Sequence, residues 1–203
     1  MIKYDYVEQL ENPYFLVIGA MDGISHDNLS PFIRNMKLSG LFVEPVKYMF
    51  DKLKENYKNY DNISFENSAI TDKNGNSTIY RVDFDDMSKY PSWSDGGSSL
   101  IPNKTAMKSV SNLIKEEINT ITLNELFKKH DLKKIDILQI DCEGYDLIVF
   151  KQFDFIKYQP HFISVEILSF NNDEINELCH ILKNNGYEYY NNGSEVLGIK
   201  NKK

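Results

Sequence analysis

The sequence predicts an α/β fold in which a mostly parallel sheet is flanked by helices on both faces. Three observations predict it. Short apolar runs of about four residues recur along the chain, with amphipathic stretches of helical spacing between them. The runs are apolar throughout rather than alternating, as expected of strands buried on both faces. Several close on a glycine or an acid, where a strand would turn into a helix.

Phe15-Leu16-Val17-Ile18 is the first run and ends at Gly19. Polar residues over 22–28 lead to Leu29, Phe32, Ile33 and Met36, spaced as one face of a helix that Gly40 is expected to end. Leu41-Phe42-Val43 forms a second strand closing on Glu44-Pro45, and Met49, Phe50, Leu53 and Tyr57 mark a second helix. A third strand is expected from Ile63 to Ile70, with a turn at Asp72-Lys73-Asn74-Gly75 and a returning strand from Ser77 to Val82. From Asp83 to about Asn103 the composition shifts to Asp, Ser, Gly and Pro, which predicts a long loop of the kind used as a lid. Thr120 to Phe127 leads into a helix. Ile135 to Ile140 is the clearest strand, running into Asp141-Cys142-Glu143-Gly144 and a helix with Leu147, Ile148 and Phe150. Phe162 to Val165 makes another strand ending on Glu166. A helix from Asp173 to Asn185 stops at Gly186, and two short strands, candidates for antiparallel pairing, finish the chain. Right-handed βαβ crossovers join such elements into a Rossmann-like sandwich, so one domain over 1–203 is expected, with a substrate lid at 83–103.

The chain has 203 residues, enough for one hydrophobic core. Its 41% hydrophobic and 26% charged content argues against wholesale disorder. A net charge of −7 argues against a nucleic-acid surface, which needs clustered Lys and Arg. The weakly basic tail from Ile199 to Lys203 reads as a solvated terminus. Cys142 and Cys179 fall in expected regular elements and read as small buried apolar residues. Met1 to Tyr6 carries no leader-like apolar region, and no apolar stretch approaches the roughly 20 residues of a membrane span, so a cytoplasmic protein is expected. Nothing in the sequence sets an oligomeric state.

Ligands of such sheets bind outside the carboxyl ends of the strands, here carrying Gly19, Glu44, Asn67 to Ala69, Asp141 to Gly144 and Glu166. Gly19-Ala20-Met21-Asp22-Gly23 lets the backbone turn sharply and approach a ligand, or is simply a tight strand-to-helix turn. Glu44 lies 21 residues after Gly23, close to the distance at which a ribose-binding acid follows a glycine turn. The loop has only two glycines, and Asp22 would repel a diphosphate. A cationic sulfonium would be favoured there, which points to S-adenosylmethionine rather than a nicotinamide or flavin dinucleotide.

Asp141 and Glu143 can position a substrate or act as general base; equally, they form an acid pair at a helix start. Glu166 ends the next strand and can join them. Three acids on one edge can hold a divalent metal, but no metal is predicted. His26, His130, His161 and His180 show no metal-like spacing. In the lid, Tyr90, Trp93, Ser98 and Ser99 are candidate substrate contacts, an aromatic for the face of a sugar and hydroxyls for its edge. Ser98 and Ser99 are expected in a flexible loop, not in a nucleophile elbow.

The segment Ile135-Asp136-Ile137-Leu138-Gln139-Ile140-Asp141-Cys142-Glu143-Gly144-Tyr145-Asp146 resembles the Ile-Asp-Leu-Leu-Lys-Ile-Asp-x-Glu-Gly-x-Glu pattern of FkbM-type methyltransferases, a class I S-adenosylmethionine-dependent family. Thr122 to Leu126 is similar to its preceding Thr-Leu-Asp segment and Gly97 to Leu100 to its Ser-rich stretch. Phe42-Val43-Glu44-Pro45 and Ser68-Ala69-Ile70 fall in the expected order. The resemblance covers about Phe15 to Glu166. It implies that Gly19, Ala20, Asp22 and Gly23 wrap the methionine end of the cofactor, that Glu44, with Pro45 beside it, holds the ribose, and that Asn67, Ser68 and Ala69 border the adenine. It also implies that Asp141 and Glu143 line the reaction centre, and that the product is a methylated hydroxyl of a sugar or natural product. Three positions depart from the pattern: Val17 replaces an acid, for which Asp22 would stand in, Asn124 replaces Asp, and Gln139 replaces Lys. Two rival readings remain: a nicotinamide-dependent oxidoreductase on the same fold, and a non-catalytic domain of a glycan-assembly protein.

Overall fold

A seven-stranded sheet runs through the molecule in the order β3-β2-β1-β8-β9-β11-β10. These strands are β1 (Tyr14–Ile18), β2 (Ser39–Val43), β3 (Ile63–Glu66), β8 (Ile137–Ile140), β9 (Phe162–Glu166), β10 (Tyr187–Asn191) and β11 (Glu195–Lys200). The pairs from β3 through β9 are parallel; β9–β11 and β11–β10 are antiparallel. The computed structural model describes residues 10–94 and 96–201. The leader reading at Met1 to Tyr6 and the last two residues of the basic tail lie outside them, as does the Trp93 side chain.

The period-2 geometry of a strand explains the two-sided core. Phe15 and Val17 of β1 face α1 (Ser30–Met36) and α2 (Lys47–Asn56), packing with Leu29, Ile33, Leu53 and Tyr57. Leu16 and Ile18 face the other way, toward α3 (Leu123–Lys129), α4 (Asp146–Phe150) and α5 (Asn172–Asn184), with Leu126, Phe150, Leu178 and Leu182. Burying one such aliphatic or aromatic side chain stabilises the fold by about 1.5–3 kcal/mol. Thr122 caps α3 by accepting the Glu125 N–H, and Asn171 with Glu174 forms a reciprocal capping box on α5. Among the described residues no helix is long and apolar enough to cross a membrane.

A second sheet has the order β4-β7-β5-β6, with β4 (Ala69–Ile70), β5 (Gly75–Arg81), β6 (Ser98–Ser99) and β7 (Ile114–Ile121). Here the structure corrects the sequence reading. The strand expected from Ile63 to Ile70 is broken at Asn67-Ser68, and its halves enter different sheets. The strand after the 72–75 turn does not return onto β4: β7, which the sequence reading passed over, lies between them. The 83–103 stretch is not an open loop but holds three short 3-10 turns and β6, so Ser98 and Ser99 are paired to Arg81 and Tyr80. Gly40 does not end α1. Lys37 closes it in the left-handed region, and Gly40 sits inside β2, where a β-carbon would lie 2.4 Å from the Phe15 ring. Cys142 lies in a loop rather than a regular element; both cysteines are free and half-buried.

Candidate active site

Strand order reverses at β1, with β2 to one side and β8 to the other, and the site forms at that switch point. After β1 the chain turns at Gly19 (φ +81°), where the Gly19 and Ala20 N–H groups both donate to the Val43 carbonyl at 3.0 Å. Met21 follows in the left-handed region at φ +51° and donates its N–H to Glu44 Oε2 at 2.8 Å. Val46 N–H reaches the other oxygen, Oε1, at 2.8 Å. Glu44 is only 4% exposed; burial pushes its pKa up to about 8, against the pull of the two N–H groups.

The acid loop after β8 is held from two sides. Asp146, wholly buried at the start of α4, accepts Cys142 N–H at 2.6 Å and Gly144 N–H at 2.9 Å. From the second sheet, Ser99 Oγ donates to the Glu143 carbonyl at 2.7 Å and accepts the Ile101 N–H. Glu143 occupies the left-handed region at φ +48°, a conformation that L side chains rarely adopt and that the two clamps maintain. Oxygens of Asp141, Glu143 and Glu166 lie within 4.8 Å of one another. Burial comes first for all three, followed by Asp146 for Glu143, by Asp146 and the neighbouring acids for Asp141, and by Asp141, Glu143 and Asp146 for Glu166. Together these raise Asp141 well above the carboxylate range, Glu143 to about 7 and Glu166 to about 10.

These elements enclose a cavity of about 270 Å³. Of the expected cofactor residues, Gly19, Ala20, Glu44, Pro45, Ser68 and Ala69 line it. So do Asp141, Glu143 and Glu166, and Ser98 from the lid segment. Four expected residues sit elsewhere. Asp22 turns its carboxylate onto the Ile24 and Ser25 N–H groups and the Ser25 hydroxyl and does not line the cavity. Gly23 packs against α2, where a β-carbon would lie 2.4 Å from Leu53. Asn67 ties the Glu44 and Pro45 carbonyls together through Nδ2, and Ser99 is spent on Glu143. The role expected of Trp93 falls on a side chain outside the described residues.

The sequence reading missed part of the wall: Met21, Met49, Ile79 and Leu100 on its apolar side, Asp27 and Gln139 on its polar side. Met49 belongs to a helical stripe and Ile79 to a strand, and neither pattern distinguishes a cavity wall from a core. Gln139 was visible as a polar residue inside an apolar strand; it lies opposite Val17 and donates to Asp27 at 3.3 Å.

A family model for the methyltransferase FkbM domain matches residues 18–189. Among solved structures, the chain is similar to the methyltransferase FkbM of Methylobacillus flagellatus KT, with a TM-score of 0.57 and 14% identity over 97% of this chain and 46% of that one. It is also similar to a precorrin-6y C5,15-methyltransferase of Geobacter metallireducens GS-15, with a TM-score of 0.51 and 10% identity over 98% of this chain and 86% of that one. At these identities the likeness establishes the fold, and the chain spans less than half the length of the Methylobacillus protein. No curated protein matches the chain.

Proposed function

Because the chain belongs to the FkbM methyltransferase domain family, we propose that it is an S-adenosylmethionine-dependent O-methyltransferase acting on a hydroxyl of a sugar or glycan. The observation that carries this reading is the cavity at the switch point, walled by Glu44 on one side and by Asp141, Glu143 and Glu166 on the other. Among the described residues lining it there is no lysine or arginine. A wall without a cation, in which Glu143 is ionised in part, suits a sulfonium and is unfavourable for a pyrophosphate.

The residues fit the cofactor part by part. Met21, Met49, Ile79 and Leu100 offer an apolar surface to a base, with Ser68 and Ala69 at its edge. Each Glu44 oxygen already accepts one backbone N–H and keeps a lone pair for a ribose hydroxyl. When bound, S-adenosylmethionine supplies a methyl group that needs no further activation. The protein's task is then alignment, exclusion of water and removal of the hydroxyl proton. Glu143, held near neutrality, is the base best matched to that task, since it is ionised in part and basic enough to accept a proton at physiological pH. Glu166 and Asp141, held higher, keep or share protons and orient the acceptor by hydrogen bonds. Segment 83–103 contributes Gly96, Ser98 and Leu100 to the wall and serves as the substrate lid.

The test is methyl transfer from labelled S-adenosylmethionine to a panel of sugars. Label recovered as a methyl ether supports the reading; label on nitrogen or carbon, or no transfer to any hydroxyl, overturns it.

A further inference from the structure

One peptide plane of the acid loop is pinned at both ends. Between Glu143 and Gly144, the carbonyl accepts the Ser99 hydroxyl at 2.7 Å and the N–H donates to Asp146 Oδ2 at 2.9 Å. The two anchors differ in origin. Asp146 opens the helix that follows the loop, so its hold is local. Ser99 comes from β6, 44 residues away along the chain and in the other sheet. A second residue from the same side closes over this plane: a β-carbon on Gly144 would lie 2.8 Å from the Thr105 methyl.

The hydroxyl of Ser99 is fully used there. The residue is 1% exposed, its one proton goes to Glu143, and its oxygen accepts the Ile101 N–H at 3.0 Å. Ser98, its neighbour, lines the cavity. The two-residue strand thus turns one side chain toward the ligand space and the next toward the acid loop, as the period of two requires. Glu143, for its part, is held against two tendencies. Its backbone at φ +48° is unfavourable for a residue with a β-carbon, while Gly144 at φ +99° turns without that penalty. Burial and the neighbouring Asp146 both oppose its charged form, so water is the better surrounding for a freed carboxylate.

We propose that Ser99 is the positioning residue of Glu143: its hydroxyl keeps that carboxyl group in the cavity, so that Glu143 is placed for proton removal only while the 83–103 segment is docked on the acid loop. The part of Glu143 as base rests on the methyltransferase reading; the hold of Ser99 on Glu143 does not. Without the Ser99 bond, the Glu143–Gly144 peptide rotates about its glycine end, and the side chain turns outward.

The experiment is a carbon-13 NMR pH titration of the full chain labelled at the glutamate carboxyl groups, the Glu143 resonance being the one missing from Glu143→Gln. In the wild type the Glu143 midpoint is expected near pH 7. In Ser99→Ala it should fall to about pH 6 or below, toward the value of an exposed carboxyl group. Ser99→Thr keeps the hydroxyl and should keep the wild-type midpoint. Ser99→Cys, a weaker donor of similar size, should lower it by less than Ser99→Ala, and it carries the test if Ser99→Ala does not fold by circular dichroism. Calorimetry should find S-adenosylhomocysteine affinity in the folded variants within about threefold of the wild type, because Ser99 does not line the cavity. A residue that served the fold alone would lower Tm and leave the midpoint in place. An unmoved midpoint in the folded Ala or Cys variant, an equal fall in Ser99→Thr, a wild-type midpoint near 4.5, or loss of S-adenosylhomocysteine binding in the variants alone overturns the proposal. A wild-type protein that does not bind S-adenosylhomocysteine overturns the methyltransferase reading instead, and the hold of Ser99 on Glu143 is then decided by the titration.

Discussion

A β-carbon placed on Gly19 would lie 1.6 Å from the carbonyl oxygen of Asp141, so the turn after β1 and the acid loop after β8 meet backbone to backbone. That contact fixes the separation between the turn after β1 and the carboxylates. Gly19→Ala meets both the clash and the left-handed backbone at φ +81°. We expect it to cost about 3 kcal/mol or more in urea unfolding and to abolish S-adenosylhomocysteine binding. Normal binding would show that the two loops can part without loss of the site.

Asp146 holds the acid loop without lining the cavity. Asp146→Asn keeps the shape but leaves one of the two N–H groups of Cys142 and Gly144 without its acceptor. The expected loss is about 2 kcal/mol of stability, together with a fall in kcat larger than any change in the KM for the cofactor. A variant that loses stability but keeps its kcat would confine Asp146 to the fold.

The raised acids set the pH dependence of stability. Glu44, Glu143 and Glu166 hold protons in the folded protein up to about pH 8, 7 and 10, while in the unfolded chain they release them near the ordinary value of 4.5. Their contribution is therefore complete below about pH 4.5 and is lost as the pH rises through those values. Thermal unfolding should show a lower Tm near pH 8.5 than near pH 5.5, with a smaller difference in Glu166→Gln. A Tm that rises over this window would contradict the buried, protonated state of these groups.

Activity should run the opposite way. With Glu143 as base, kcat/KM rises as the pH passes about 7, and Glu143→Gln lowers it by about 10²–10⁴. Retention of the pH profile in Glu143→Gln would move the base to Asp141 or Glu166.

Much of this site is legible in the sequence because strand ends in a parallel sheet announce themselves. The runs ending at Gly19, Glu44, Asp141 and Glu166 are apolar up to a sharp stop, and period and composition mark that stop together. The places where sequence reading and structure part have a common origin. Asp22 looked like a ligand residue because it follows a glycine, but acids also satisfy nearby N–H groups in turns, and its bonds to Ile24 and Ser25 are local. The second sheet was misread because β7, of sequence Ile-Lys-Glu-Glu-Ile-Asn-Thr-Ile, is too charged to stand out as an apolar run. Its pairing with β5, residue 75 to residue 120 at one end, is a long-range contact that no local pattern encodes. Ser99 illustrates the consequence: read as a loop hydroxyl for substrate, it is a buried strand residue that holds Glu143.

The most direct test of the account is calorimetric titration of the purified protein with S-adenosylhomocysteine and with NAD, in wild type and in Glu44→Gln. One-to-one binding of S-adenosylhomocysteine, no binding of NAD and an affinity lowered by about 10- to 100-fold in the variant are expected, the equivalent of one or two hydrogen bonds. A folded protein that ignores S-adenosylhomocysteine, or that takes NAD in its place, would contradict it.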